Sequence, residues 1–435
     1  MKFKKLLYIS LALLLSIAIS SCSYIENFLN SNGISNPTND NTNSNTTTNT
    51  NQNNQTTTPV NPEITYKIIW KNGDTIIKTL ENVKASNIPA YDGDTPTKAE
   101  DEKYQYEFNG WDETKDEVNN IITYVAKFSR ISKILEDITD WGYKDLQLYE
   151  NKQDLISLYD DINDACLDFY NSTENLELTH KDFGDSDGDY YIFKSDINFS
   201  QYNIDFRTAS AVYKCVILDH PEYYFIDNTV LSHSIKSGGV TTSYLELVAD
   251  EDYKNYSDRA NYNQKIEEYK AAVKNSFTVL TTTQEKKAKA IHDYIINNAE
   301  YAFEADGTTP STSSFAHNIL GIIVNKKGVC ESYAKLYKYL MNDNNIECII
   351  VTGTGKNDSG TEGHAWNYAN IDDNWYGFDV TWDDPVGNIP TLSHKYFGKV
   401  DTQFINSHIV NEAYNNLEAS LEYVYKLPTL ATSNL

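Results

Sequence analysis

The sequence predicts an α+β fold, and three patterns predict it. Residues 63–130 alternate apolar and polar positions with the period of two that marks half-buried strands. Behind the helix-breaking Gly328, residues Tyr333, Ala334, Tyr337, Leu340 and Met341 recur at helical spacing. From His364 to Asp379 alternation returns in two short segments joined by a tight polar connection, the pattern of a hairpin.

At 435 residues the chain has room for about two to four domains. An apolar fraction of 40%, with 33 tyrosines, is enough for a sizeable core. The formal net charge of −26 makes nucleic acid and anionic membrane poor partners. The cysteines are Cys22, Cys166, Cys215, Cys330 and Cys348; none sits in a C-x-x-C pair or a zinc-spaced cluster with histidine. No metal or cofactor is expected. Cys22 lipidated and Cys330 a free thiol would leave three cysteines, which argues against a full disulfide framework, and a Cys166–Cys215 bridge stays open. Cys348, within Ile346–Val351, reads as a small buried hydrophobe.

Residues 1–22 read as an export signal. Lys2, Lys4 and Lys5 precede an apolar run from Leu6 to Ile19 that is short for a spanning helix. Ile19-Ser20-Ser21-Cys22 resembles a bacterial lipobox. That resemblance implies cleavage before Cys22, diacylation of its thiol, and a protein held on the extracytoplasmic face of the cell membrane. Residues 23–62 are Asn, Thr, Ser and Gln with almost no apolar content, so they read as a disordered tether. As a flexible coil the tether would span roughly 35 Å.

In residues 63–130, Ile64, Tyr66, Ile68 and Trp70 share one face of a strand, Asn72-Gly73 reads as a two-residue turn, and Thr75 to Leu80 returns. Tyr104, Tyr106 and Phe108 alternate again, as do Ile122, Tyr124, Ala126 and Phe128, giving four strands. The Trp70-Lys71-Asn72-Gly73-Asp74 and Phe108-Asn109-Gly110-Trp111-Asp112 segments resemble the internalin B-repeat of bacterial surface proteins. The resemblance implies a β-grasp-like spacer or adhesion module meeting a cell-wall or host-surface ligand.

Residues 131–285 form an accessory α+β region with no activity assigned. Helical spacing runs from Ile134 to Tyr170, through Leu146, Leu148, Leu155, Leu158, Tyr159 and Ile162. Tyr190 to Phe193 and Ala211 to Leu218 read as strands, and His220 to Phe225 as a turn into another, paired with Thr241 to Ala249. Tyr262 to Phe277 reads as an amphipathic helix. Asp185-Ser186-Asp187-Gly188-Asp189 misses the EF-hand calcium pattern, because Tyr190 stands where the loop needs glycine.

Residues 286–435 hold the chemistry. Lys286 to Asn298 reads as a helix and Ser314 to Val324 as a short apolar segment. Cys330 opens the next helix, where unpaired backbone N–H groups favour a thiolate and offer part of an oxyanion hole. On the hairpin, a turn centred between Ile371 and Asp372 sets His364 opposite Asp379, Trp366 opposite Gly377 and Tyr368 opposite Trp375. Gly377 would leave room between that pair and Trp366. A thiol, an imidazole and a carboxylate in this order are the inventory of a nucleophilic cysteine site. His180, His220, His233, His292, His317 and His394 read as surface or satisfied core residues; His408 reads the same way, with a place near the site left open.

Gly328-Val329-Cys330-Glu331-Ser332-Tyr333-Ala334, Gly363-His364-Ala365-Trp366-Asn367 and Asp373-Asn374-Trp375-Tyr376-Gly377-Phe378-Asp379-Val380-Thr381-Trp382-Asp383-Asp384-Pro385 together resemble the transglutaminase-like superfamily. The likeness runs over roughly residues 286 to 410, including Tyr396-Phe397 and His408. It implies a papain-like core, with the cysteine helix on an antiparallel sheet. It also implies Cys330 as nucleophile, His364 as base, Asp379 as the group that orients it, and acyl transfer from protein or peptide amides through a thioester. Trp366 and Trp382 are expected to line the substrate site. Ser332 stands where relatives carry glycine. A cysteine peptidase would use the same three groups. A surface adhesion protein that only binds ligands is the reading of a different class.

Overall fold

Period-two segments do become strands. In the computed structural model, which describes residues 64–100, 104–132, 140–182, 187–357, 360–384, 392–410 and 426–435, the first four are β1 (Thr65–Asn72), β2 (Thr75–Lys84), β3 (Tyr104–Asp116) and β4 (Ile121–Ser132). They form one sheet in the order β2-β1-β4-β3, with β1 and β4 parallel at its centre. Tyr66, Ile68, Trp70 and Ile122 are buried on its inner face. The loop after β1 is Gly73–Asp74, not Asn72-Gly73, because Asn72 still pairs with Thr75. The signal, the lipobox cysteine Cys22 and the tether lie outside the described residues, as do Asp185, Ser186 and Pro385. Among the described residues no helix is long and apolar enough to cross a membrane.

The accessory region contains α1 (Trp141–Leu146), α2 (Lys152–Asn171), β5 (Leu178–Asp182), β6 (Asp187–Asn198), α3 (Phe206–Asp219), β7 (Ile226–Ser237), β8 (Val240–Ala249) and α4 (Tyr256–Ser276). Exposed Leu148 falls in the break between α1 and α2. The strands form an antiparallel sheet in the order β5-β6-β8-β7. Ala211 to Leu218, read as a strand, lies within α3. Asp205 caps that helix by accepting from the Thr208 N–H, and Ala209, Val212, Tyr213 and Val216 are buried at helical spacing. A short apolar run carries no period of its own strong enough to separate strand from buried helix. Cys166 and Cys215 are both free and buried, so the bridge left open by the sequence is absent.

The last part contains α5 (Gln284–Ile296), β9 (Glu300–Tyr301), α6 (Ile319–Asn325), β10 (Lys327–Gly328), α7 (Cys330–Asn342), β11 (Cys348–Asn357), β12 (Gly360–Ile371), β13 (Asn374–Phe378), α8 (Val380–Asp383), α9 (Thr402–Ser407) and β14 (His408–Val410). Its antiparallel sheet runs β13-β12-β11-β14. The predicted face of α7 is buried throughout: Tyr333, Ala334, Tyr337, Leu340 and Met341 join a cluster with Cys348, Ile350, Ala365, Ala369 and Phe378 of the sheet. Asn367 Nδ2 donates to the carbonyls of Ala334 (2.9 Å) and Ile349 (3.1 Å), tying helix to sheet. That cluster extends back to Tyr143, so the accessory region and the cysteine-bearing part share one core. On the sheet's other face Ile349, Val351, Trp366 and Tyr368 pack with Phe404 of α9.

Phe404 fills the room expected above Gly377. A Cβ at 377 would lie 2.3 Å and 2.4 Å from two Phe404 ring carbons and 2.9 Å from the Lys399 carbonyl oxygen. Gly377→Ala is therefore expected to lower unfolding free energy by about 1–3 kcal/mol. Urea denaturation reads this directly, and adding Phe404→Leu in the same chain should recover part of the loss.

Candidate active site

Cys330 is the first residue of α7, behind Val329 in extended conformation (φ −88°, ψ 177°). No side chain caps this helix; the Ser332 and Tyr333 N–H groups turn to the Val329 carbonyl at 2.9 Å and 3.3 Å, so the N–H groups at the head are those of Cys330 and Glu331. The Tyr301 side chain lies beside Cys330, whose thiol and backbone N–H both act on its hydroxyl. Tyr301 arrives there because β9 runs parallel to β10, pairing Tyr301 with Gly328. Ser332, the departure from the resemblance, is fully buried, and its Oγ donates to the Asn318 carbonyl at 2.6 Å. A Cβ at Gly328 would collide with Ser332 at 2.5 Å, so the glycine permits this close approach. Cys330 is half-buried, whereas Cys166, Cys215 and Cys348 are buried. Burial pushes the Cys348 thiol up to about 12.

His364 and Asp379 meet through a register that differs from the expected one. β12 pairs with β13 as Tyr368 opposite Gly377 and Asn370 opposite Trp375, a shift of two residues. The two-residue loop is Asp372–Asp373, both in the left-handed region (φ 49° and 64°), as a type I′ hairpin turn requires. A shift of two keeps every side chain on its predicted face. Asp379 lies just past the end of β13 and caps α8, its Oδ1 accepting from the Trp382 N–H at 3.0 Å. Its Oδ2 accepts from His364 Nε2 at 2.7 Å. The Cys330 thiol lies within hydrogen-bonding reach of the same imidazole. With Nε2 engaged by Asp379, Nδ1 is the nitrogen left for the thiol.

Electrostatics follow from this packing. Burial opposes charge on His364, but the Asp379 carboxylate outweighs it, with Cys330 adding to the effect, and the imidazole is held well above its ordinary range. Burial likewise penalises the Asp379 carboxylate. The charge and N–H of His364, joined by His408, outweigh that penalty and hold Asp379 far below the usual carboxylate range.

His408 is the residue the sequence reading set aside as surface or satisfied core. It is buried, and its Nε2 donates to Asp379 Oδ2 at 3.0 Å. It reaches the site because β14 pairs with β11, setting His408 opposite Gly355. Gly355 is needed there: a Cβ would lie 2.8 Å from Trp382 and 3.0 Å from the His364 Cβ. His292 also has carboxylate partners the sequence did not assign to it. Fully buried, it contacts Asp293 at 3.0 Å and Asp383 at 3.2 Å. Asp383 in turn accepts from Ser393 Oγ and the Tyr396 N–H. The Tyr396 carbonyl takes the Asp379 N–H at 3.1 Å, so this network braces the strand end that carries Asp379.

The two tryptophans expected in the substrate site separate. Trp382 is half-buried and stacks on His364 (centroids 4.6 Å apart, 19° between planes). Trp366 is 1% exposed and belongs to the core with Phe404, so it has no face to offer a substrate.

Among the described residues, two groups place three ligand-type atoms within 4.8 Å of one another: His292, Asp293 and His394, and His364, Asp379 and His408. In the first, the Lys289 ammonium already contacts His394 and lies 2.9 Å from Asp293, where it opposes a second cation. In the second, the separations of 2.7 Å and 3.0 Å are those of N–H···O bonds.

Residues 271–380 match the model of the transglutaminase-like superfamily. Over 119 residues the chain is 27% identical to the kyphoscoliosis peptidase of Mus musculus, covering 26% of this chain and 17% of that one. A solved structure of a TGase is 20% identical, over 39% of this chain and 49% of the other, with a TM-score of 0.25. A candidate cysteine protease from Cytophaga hutchinsonii is also 20% identical, over 36% and 63% respectively, with a TM-score of 0.22. The chain thus spans less than two thirds of the length of each of these relatives.

Proposed function

We propose that this protein is a cysteine acyltransferase acting on protein or peptide amides through a thioester. The observation that carries the reading is the buried His364–Asp379 pair, joined at 2.7 Å, with the half-buried thiol of Cys330 beside the same imidazole. His364 Nδ1 takes the thiol proton, and the thiolate attacks the amide carbonyl carbon. The developing oxyanion needs N–H donors, and the Cys330 N–H at the head of α7 can supply one. His364 then returns the proton to the departing ammonia or amine, leaving a thioester. An amine or water attacks that thioester, with His364 accepting its proton, and Cys330 is released.

Three outcomes share this site. An amine acceptor gives crosslinking, water on a glutamine thioester gives deamidation, and water after attack on a main-chain amide gives proteolysis. The 27% identity to a named peptidase is what favours the last as a second reading. Incubating the full chain with a glutamine peptide and a primary amine, read by mass, separates amide exchange, conversion of glutamine to glutamate, and backbone cleavage. Absence of all three products, or products that persist in Cys330→Ala, would overturn the reading. A lipid anchor at Cys22 would keep this activity at the membrane's outer face. The aromatic crevice of about 530 Å³ lined by Trp70, Tyr91, Phe108, Trp111 and Tyr124 is where we place contact with a surface ligand.

A further inference from the structure

We propose that His408 is a positioning residue for the Asp379 carboxylate and, through it, for the base His364; the inference rests on the acyl-transfer reading above. Asp379 Oδ2 receives two imidazole N–H groups, from His364 at 2.7 Å and His408 at 3.0 Å, while Oδ1 receives the Trp382 N–H. The carboxylate is thus held at both oxygens and cannot turn away from His364. His408 is itself fixed. Its Nδ1 lies 2.9 Å from Ser407 Oγ and 3.0 Å from the Phe404 carbonyl oxygen, and the Phe404 ring stacks on it at 4.0 Å and 13°. Trp366 meets it edge-on at 5.1 Å, and Trp382 packs at 4.8 Å.

A carboxylate with one histidine partner would direct its whole charge at that histidine. The second N–H draws on the same oxygen, so His364 holds its proton less tightly than a lone His–Asp pair would impose. A base that must take a proton from a thiol and then give it to a leaving amine works best in that intermediate condition. The titratable groups facing this centre are His364 from β12, Cys330 from α7 and Tyr396 from the segment before α9, with Glu362 and Tyr301 beyond them on the cysteine side.

The test is the titration midpoint of His364, read by NMR in full-length protein labelled with ¹⁵N-histidine. His408→Leu is expected to raise the midpoint by about one pH unit, the scale set by one hydrogen bond to a charged group. His408→Gln, whose amide restores one N–H, should return it toward the wild-type value. Loss of packing alone would leave the midpoint in place. An unchanged midpoint in His408→Leu overturns the proposal. If that variant does not fold, the wild-type spectrum decides: His408 Nε2 must carry its hydrogen throughout the range in which His364 titrates, and an unprotonated Nε2 overturns the proposal. Turnover of the glutamine peptide by wild type keeps the two readings apart. Turnover with an unmoved midpoint sinks only the role of His408; no turnover sinks the acyl-transfer reading, and this one with it.

Discussion

Cys330→Ser is expected to lower turnover of a glutamine peptide by roughly three to six orders of magnitude, as removal of an activated nucleophile does elsewhere. Serine keeps the shape of the side chain and its place at the start of α7. What it loses is the acidity of the thiol, so a single imidazole no longer produces a useful concentration of the anion. The substitution sits at a half-buried position that packs against the core beside Ala334 and Tyr337, and oxygen is only slightly smaller than sulfur, so stability should change by no more than about 1 kcal/mol. Mass spectrometry of the products and urea denaturation of the same samples check both halves. Cys348→Ser supplies the contrast. That thiol is enclosed and pushed up to about 12, so its replacement should cost stability and leave turnover intact. Activity surviving in Cys330→Ser would remove the nucleophile from the proposed mechanism.

Much of this site was legible because its parts lie close in sequence. The apolar stripe of α7 repeats over three turns, and helix and burial agree at Tyr333, Tyr337 and Leu340. The hairpin was read with its turn one residue too early, since two consecutive aspartates in the left-handed region are a weaker signal than Asn-Gly. The error was harmless only because it moved the register by two. His408 falls within the likeness but carries no role in the sequence, for a different reason. It stands 29 residues after Asp379, at the head of a three-residue strand too short to show a period. Its pairing with Gly355 is a non-local contact that no neighbouring residue announces. Trp366 was assigned to the substrate site because alternation gives the face of a strand but not what covers it. Here Phe404, from α9, covers that face.

Asp379→Ala carries the largest combined effect, because one carboxylate serves two histidines and a helix terminus. Its removal leaves the buried His364 and His408 Nε2 hydrogens without their acceptor and the half-buried Trp382 N–H uncapped. Breaking a buried pair in this way costs about 3–5 kcal/mol. Turnover should fall by roughly 10⁴-fold, since His364 loses the partner that fixes its tautomer. The stability loss should depend on pH in a stated direction. Asp379 is held below its unfolded value, so its contribution is complete above about pH 4 and is lost as pH falls through the folded value. His364 is held above its unfolded value, so its contribution is complete below about pH 6.5 and is lost as pH rises through the folded value. The difference in unfolding free energy between wild type and Asp379→Ala should therefore be greatest between about pH 4 and 6.5 and shrink on either side. Urea titrations across that range measure it. A difference that stays constant with pH would mean that the carboxylate and the imidazole do not meet as ions in the folded protein, and the base would then lack the partner on which its role depends.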